Sequence, residues 1–390
     1  MLCRFDCEIF DCFFYHLSVV DYWRKADSAK LNKKDETIVV FCRCFNMAIL
    51  RLLHTLLIRG AIALGLFAVS TSLSAADWLP DSLGRGFEKS YVAQPDDYAG
   101  SVRCTVVRYD ARGAAEKSRK GVLYIHGFND YFFQKEMAQQ FDSHGYRFYA
   151  VDLRRYGRSL MPGQKPFLVR KISEYFADID SAISIMTDAG IDSIVIMGHS
   201  TGGLVASCYM EHNPPTAVHA LILNSPFLEW NLALPARILV PAIAGLGRIF
   251  PSLTIPQSGS VYGESLDARW HGEWSYNRAW KLHDSSDVDA GWIRAIERAQ
   301  LSLKRHPYAI KVPILLMYSA RSYKGDKWTP EAQRADAVLD VADIRRVGMR
   351  LGHKVTPLEV EGGMHDLILS SPDVRYPLYD RIFAWLSENL

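Results

Sequence analysis

Residues 198–202 read Gly-His-Ser-Thr-Gly, and their setting constrains the fold more than any other stretch of the chain. The apolar run 193–197 leads straight into the pentapeptide, and the helix-favouring run 203–210 leaves it without a linker. A strand, a sharp turn and a helix in direct succession can hold a serine in a strained backbone conformation at the end of a sheet. Small flanking residues are then required, because a Cβ would collide with neighbouring backbone. Ser200 is therefore read as a nucleophile in preference to a plain turn serine.

A serine hydroxyl is a poor nucleophile at neutral pH, so this reading demands a base, a carboxylate that orients the base, and donors for an oxyanion. In a strand–turn–helix arrangement of this kind the histidine comes last in the chain, on a loop after the final strand. His365 satisfies that order within the glycine-rich loop 361–366, behind a strand-like segment that starts at Lys354. His199, beside the serine, is read as structural. Four aspartates follow the apolar run 313–318. Asp340 and Asp343 open the helical run 344–351, as an N-cap and an acid three residues on. Asp326 sits in the polar stretch Lys-Gly-Asp-Lys, whereas Asp336 precedes the apolar pair Val338 and Leu339. Asp336 is the preferred orienting acid and Asp326 the second choice. Backbone N–H groups of Thr201, after the serine, and of Phe128, after the strand-like run 121–125 and His126-Gly127, are the expected oxyanion donors.

With these residues in place, the chain resembles the α/β-hydrolase superfamily, in the branch of monoacylglycerol lipases, lysophospholipases and serine-aminopeptidase-like hydrolases. The resemblance runs over roughly residues 95–390. It rests on the elbow, on His126-Gly127-Phe128, on segments 145–152 and 154–159, and on 362–367. In one departure, residues 319–323 (Ser-Ala-Arg-Ser-Tyr) replace the family's glycine-aspartate run and an insertion follows, so the acid motif is expected to resume at 336–340. The hydrophobic pattern gives the same fold class independently. Runs 148–153, 193–197, 220–224 and 313–318 are continuously apolar, as strands covered on both faces must be. They alternate with helical spacings such as Ile172, Phe176, Ile179, Ile183 and Met186, which stop at Gly190. A mostly parallel central sheet with helices on both faces follows.

Residues 47–76 run from a charged start (Arg51, Arg59) through the apolar 61–67 to small residues at 72–76, the order of an export signal, with a retained membrane anchor as the alternative. Residues 1–46 hold five of the 7 cysteines without metal-site spacing, and translation is expected to begin at Met47. Cys104 and Cys208 are the cysteines left in 77–390, so a hydrophobic core must stabilise that hydrolase domain without a disulfide framework. The 45 Lys and Arg against 43 Asp and Glu argue against a nucleic-acid partner. No metal or organic cofactor is implied.

The stretch between about 228 and 305 is far longer than one crossover needs and is read as an inserted helical cap. It opens with the apolar run 232–243 and later carries Trp270, Trp274, Tyr276, Trp280 and Trp292. Part of this is a small core for the cap, and part is read as a greasy lid over the serine that holds an acyl chain. The expected activity is hydrolysis of lipid-like carboxylic esters, of lysophospholipid or monoacylglycerol type, through an acyl-enzyme. The partner is a small-molecule or lipid ester, with membrane-surface contact through the cap or the N-terminus. Two alternatives stand beside it. A peptidase or amidase on the same triad would need acids in the cap for a substrate amine, for which Glu229, Glu264, Asp267 and Glu273 are the candidates. A binding protein on an inactive scaffold is disfavoured, because every catalytic position is filled.

Overall fold

A computed structural model of the chain describes residues 76–110, 118–256, 261–283 and 287–390, all within the unit Ser74–Leu390. The expectations for residues 1–46 and for the export segment up to residue 75 lie outside the described residues. The described part opens with an antiparallel run of β1 (Leu79–Pro80), β2 (Phe87–Asp97) and β3 (Gly100–Tyr109). Strands and helices then alternate: β4 (Lys120–Ile125), α1 (Lys135–Ser143), β5 (Arg147–Asp152), α2 (Phe176–Asp188), β6 (Ser193–His199), α3 (Thr201–His212) and β7 (Val218–Asn224). An insertion carries α4 (Leu234–Leu246), β8 (Thr254–Ile255), α5 (Val261–Leu266), β9 (Val288–Asp289) and α6 (Ala290–Arg305). The core resumes with β10 (Ile314–Ser319), α7 (Val341–Gly348), β11 (Val355–Val360) and α8 (Pro372–Asn389).

Among the described residues nine strands form one sheet in the order β1-β2-β3-β5-β4-β6-β7-β10-β11. Every pairing from β5 to β11 is parallel. Parallel strands joined by helical crossovers have both faces covered, which is why 122–125 and 194–197 are completely buried and apolar throughout. One face packs on α2, α3 and α6 through Ile179, Leu204 and Ile296. The other packs on α1 and α8 through Phe141, Leu378 and Ile382. Removing one such Leu or Ile to Ala is a loss of about 2–5 kcal/mol, and this twofold core fixes the relative positions of the strand ends.

Those ends carry the loops of interest, since in a parallel sheet the carboxyl edge is where loops converge. The segment after β5 is anchored by buried charge. Asp152 accepts from the Phe132 and Arg158 amides (2.9 and 3.0 Å), and the Arg158 guanidinium spans Asp152 and Asp81, all three fully buried. Arg154 pairs with Asp178 and Arg155 with Asp97. Arg154, Arg155 and Arg158 thus engage four carboxylates, none of them shared, which ties the loop 153–159 to the sheet and to α2. Gly157 within it takes φ +45°, with its Cα pressed so close to Asp152 that a Cβ would lie 2.6 Å from the carboxylate.

A candidate active site at the carboxyl edge of the sheet

The elbow has the geometry its sequence demands. Ser200 sits between β6 and α3 at φ 50°, ψ −117°, a region costly for any residue with a Cβ, on the order of 1–3 kcal/mol. The turn closes because its neighbours are bare: a Cβ on Gly198 would lie 2.6 Å from the Gly202 carbonyl, and one on Gly202 would lie 2.3 Å from the carbonyls of Ile125 and His126. The Asn224 carbonyl at the end of β7 accepts the Ser200 amide (3.0 Å) and so locks the strained residue to the sheet.

His365 lies on the loop after β11, and its Nδ1 donates to Asp336 Oδ2 at 3.0 Å, both groups being buried. The other carboxylate oxygen of Asp336 accepts the Val338 and Leu339 amides, each at 2.8 Å. Two amides on one oxygen and an imidazole on the other leave the carboxylate a single orientation. The route of the chain to this point explains the departure at 319–323. The insertion leaves after Tyr323 and returns at Asp336, whose backbone bonds to Arg321 and Tyr323 (2.8 and 2.7 Å) and so brings the acid back beside the end of β10. Asp326, the second choice, is exposed on that excursion. Asp340 caps α7 by accepting the Ala342 amide (2.9 Å). Asp343 does not complete a capping box: its carboxylate is taken by Arg346 on the same helix, the nearer cation at that turn.

Ser200 and His365 line one cavity of about 110 Å³, and Phe128 lines it too. The loop carrying Phe128 approaches the serine because Gly127 has no side chain: a Cβ there would meet His199 at 3.1 Å and Ser200 at 3.2 Å. His126 holds the loop from behind, its Nε2 accepting the Leu153 amide (3.1 Å). The Phe128 ring packs at a tilt against Phe167 and Trp292 (4.9 and 4.8 Å between centroids). Among the described residues neither the Phe128 nor the Thr201 amide has a backbone acceptor.

Several residues of the site carry no motif. Asn224 joins the elbow to the histidine loop: its carbonyl holds Ser200, its side chain donates to Asp366 (2.6 Å), and its Oδ1 accepts the Leu367 amide (3.2 Å). Gln134 supports the same Asp366 (3.3 Å) and bonds to the Tyr124 hydroxyl. The available signal was a lone polar residue ending the apolar run 220–224. His199 is held to the sheet and also reaches the cavity. Its Nδ1 bonds to the Asn224 carbonyl (3.2 Å), and its ring lines the cavity 4.9 Å from that of His365. Burial holds its pKa below the usual histidine value, so the ring is neutral at pH 7.

The greasy lid expected from the cap is only partly in place. Residues 232–243 do not line the cavity among the described residues; the cap contributes Tyr262, Leu266, Tyr276, Lys281, Leu282 and His283 instead. Lys281 pairs with Asp130 at 3.0 Å, both buried, and its ammonium lies 5.8 Å from the rings of Phe133, Tyr262 and Tyr276. The Tyr262 hydroxyl and His283 Nδ1 are buried without a partner among the described residues. The cavity therefore has a polar end, because residues 232–243 form α4, whose Leu234, Ile238 and Leu239 face outward instead. The cap aromatics divide by task. Tyr276 lines the cavity, and Trp292 packs behind Phe128. Trp274 anchors the cap through the Leu369 carbonyl (2.7 Å), Trp280 packs on Tyr131, and Trp270 is exposed.

The four cap acids are also accounted for. Glu229 is held by Lys304, Arg237 and Arg346 (2.6, 3.1 and 3.3 Å). Asp267 is held by Arg278, which keeps its carboxyl down at about 2. Glu273 pairs with Arg375 (2.6 Å), and Glu264 lies 4.0 Å from His271. None of the four lines the cavity.

Comparison with known proteins agrees with this architecture. The chain is 28% identical to epoxide hydrolase 4 of Mus musculus over 137 residues, 34% of this chain and 36% of that protein. It is 24% identical to phospholipase YtpA of Bacillus subtilis over 225 residues, 53% of this chain and 77% of that protein. The chain thus spans only about a third of the epoxide hydrolase it matches. Among solved structures, the monoglyceride lipase of Saccharomyces cerevisiae, in complex with a substrate analogue, superposes with a TM-score of 0.58 at 14% identity, covering 80% of this chain and 99% of that one. The monoacylglycerol lipase of Paleococcus ferrophilus gives 0.52 at 22% identity, covering 70% and 96%. At such identities the likeness is one of fold. The model of the serine aminopeptidase family, S33, matches residues 116–372, a span that holds the elbow, Asp336 and His365. The chain belongs to that family of α/β-hydrolases.

Proposed function

We propose that the protein is a serine carboxylester hydrolase acting on lipid-like esters, of lysophospholipid or monoacylglycerol type. The observation that carries the reading is a strained serine sharing a cavity with an imidazole whose Nδ1 is bonded to a buried carboxylate. With Nδ1–H committed to Asp336, His365 Nε2 is the free base. Ser200 Oγ attacks the ester carbonyl as Nε2 takes its proton, and the carbonyl oxygen, now negative, is met by the Phe128 and Thr201 amides. Collapse expels the alcohol, which takes the proton from His365, and leaves an acyl-serine. Water then attacks with His365 again as base, freeing the acid and restoring Ser200. The polar end at Lys281, Asp130, Tyr262 and His283 suits a hydroxyl- or phosphate-bearing alcohol portion, in keeping with the phospholipase name of the Bacillus subtilis relative.

The amidase reading has the family's description in its favour. Against it, three of the four cap acids (Glu229, Asp267 and Glu273) are paired with arginine or lysine, none of the four lines the cavity, and Asp130 is paired with Lys281. A series of p-nitrophenyl esters of increasing chain length, run beside aminoacyl amides, decides between them. Ester turnover peaking at medium or long chains is expected; cleavage of amides alone overturns the proposal. We further infer contact with a lipid surface through α4 and the turn after it, where Leu234, Ile238, Ile249 and Phe250 are each 60% exposed or more. Export, directed by residues 47–76, completes the reading.

A further inference from the structure

A second cavity, about 450 Å³ in volume, opens at the other end of α3 and touches none of the residues of the catalytic one. His212, in its wall, lies about 18 Å along the helix from Ser200 at 1.5 Å per residue. Its floor is apolar, made by Ile172, Cys208, Ala295 and Ala299, all buried. Its rim is cationic: Arg170, Lys171, Arg298 and Arg305 are exposed around it. Among the described residues no carboxylate reaches the side chain of any of the four. The nearby acids are otherwise engaged. Glu211 takes His306 (2.7 Å) and Ser302 (3.4 Å). Glu174 accepts the backbone amides of Arg170 and Lys171 and the Tyr98 hydroxyl (3.1, 2.9 and 3.1 Å). Tyr98 in turn lies flat under the Arg170 guanidinium, 3.7 Å from ring centroid to carbon.

Solvated cations on a convex face need no ligand, but four like charges around an apolar hollow repel one another. We propose that this cavity binds a long-chain carboxylate. A guanidinium fork matches a carboxylate in two parallel hydrogen bonds, and the volume lies within the range of sites that enclose small molecules. A bare phosphate would use the rim and leave the floor wet, and an uncharged alkyl alcohol would use the floor and leave the rim unpaired. A long-chain carboxylate is also the acid that the proposed ester hydrolysis releases. That link rests on the proposed function, whereas the site itself does not. The cavity touches the far end of the helix that starts at Thr201, and also the face of α6, whose first turn carries Trp292 against Phe128.

The test is isothermal titration of the full chain with laurate below its micellar concentration, with dodecanol and with inorganic phosphate. Each titration is repeated on Arg298→Glu/Arg305→Glu and on Arg298→Gln/Arg305→Gln. Laurate is expected to bind the unaltered chain at least about tenfold more tightly than dodecanol or phosphate, with an affinity that falls as salt is added. Both double variants should weaken laurate by about tenfold or more while melting normally and hydrolysing p-nitrophenyl acetate at the unaltered rate. Laurate affinity unchanged in both variants, or laurate binding absent from all three proteins, overturns the proposal. Phosphate as tight as laurate reassigns the site to a bare anion, and dodecanol as tight as laurate removes the role of the rim; either result overturns it as well. If laurate binding behaves as expected in a chain that cleaves no ester, the site stands and the proposed function falls.

Discussion

Replacing Asp336 by Asn tests the triad at its most specific point, because the structure states what the substitution keeps and what it reverses. Oδ1 of Asp336 accepts the Val338 and Leu339 amides, and an asparagine oxygen can do the same. The amide nitrogen must then occupy the Oδ2 position, 3.0 Å from His365 Nδ1. Two donors cannot face each other there, so the imidazole moves its proton to Nε2 and accepts at Nδ1. Nε2 is then unable to take the Ser200 proton. The expected loss in kcat is on the order of 10^4-fold, by the analogous change in serine proteases, equivalent to about 5.4 kcal/mol of transition-state stabilisation. Folding stability should change little. Asp336→Ala is the poorer probe: it leaves the buried Leu339 amide unpartnered, at a cost of about 1–3 kcal/mol, and so mixes stability with chemistry. The assay is steady-state hydrolysis of p-nitrophenyl butyrate, with thermal melting of each variant alongside. Asp336→Asn within tenfold of the unaltered enzyme at an equal melting temperature refutes the reasoning, as does a comparable loss from Asp326→Asn, whose carboxylate is exposed.

Ser200→Ala should abolish turnover, by about 10^4-fold or more, together with labelling by a fluorophosphonate probe; labelling that persists would locate the nucleophile elsewhere. Gly127→Ala puts a methyl group against Ser200 and His199 at about 3.1–3.2 Å, displacing the Phe128 amide, so kcat should fall by on the order of 10^2-fold with KM less affected; an unchanged kcat would remove Phe128 from the oxyanion site. Leu234→Glu/Ile238→Glu, on the exposed face of α4, should reduce sedimentation with phospholipid vesicles while leaving turnover of a soluble ester unchanged; equal sedimentation would dismiss this face as the lipid contact. Expressed from Met47 in a bacterial host, the chain should be exported and begin close to Asp77, as read by fractionation and N-terminal sequencing; an intact chain in the membrane fraction would indicate a retained anchor, and one in the cytosol would rule out the export signal.

The fold was legible because burial on both faces leaves its mark on a strand residue by residue. Runs such as 193–197 and 313–318 have no polar alternation to confuse with an exposed strand, and the glycines of the elbow are required by contacts that any strand–turn–helix of that tightness must make. That His365 lies on the loop after the last strand of the sheet, and Ser200 on the turn after β6, was legible for the same topological reason. Asp336 could be chosen over Asp326 only on local polarity. What places Asp336 beside the end of β10 is a return of the chain to Arg321 and Tyr323 after the excursion 324–335, a pairing that no local pattern announces.

The cap was legible as an insertion but not in its facing. An apolar helix is consistent with covering a site or with meeting a lipid surface, and composition is the same for both. Only the packing of α4 against α6 through Val240 and Ala244 shows that its larger apolar residues turn outward. The cavity at Ser200 has a polar end that the sequence did not announce, since its cap-side lining comes from residues 262–283, where Tyr262, Lys281 and His283 are scattered among aromatics with no recognisable spacing. This division has a consequence for substrate. A cap that were apolar inside and polar outside would favour a soluble enzyme drawing a hydrophobic ester wholly into its core. On the proposed function, a cap that carries polar groups at one end of the cavity and apolar residues on its outer face would let the hydrocarbon of the substrate stay near a lipid phase while its polar end meets Lys281 and Tyr262 beside Ser200. On that arrangement the alcohol portion, rather than acyl length, sets most of the specificity, so Lys281→Met should raise KM for a lysophospholipid far more than for a p-nitrophenyl ester of the same acyl chain. Equal effects on the two substrates would show that Lys281 serves only to hold Asp130.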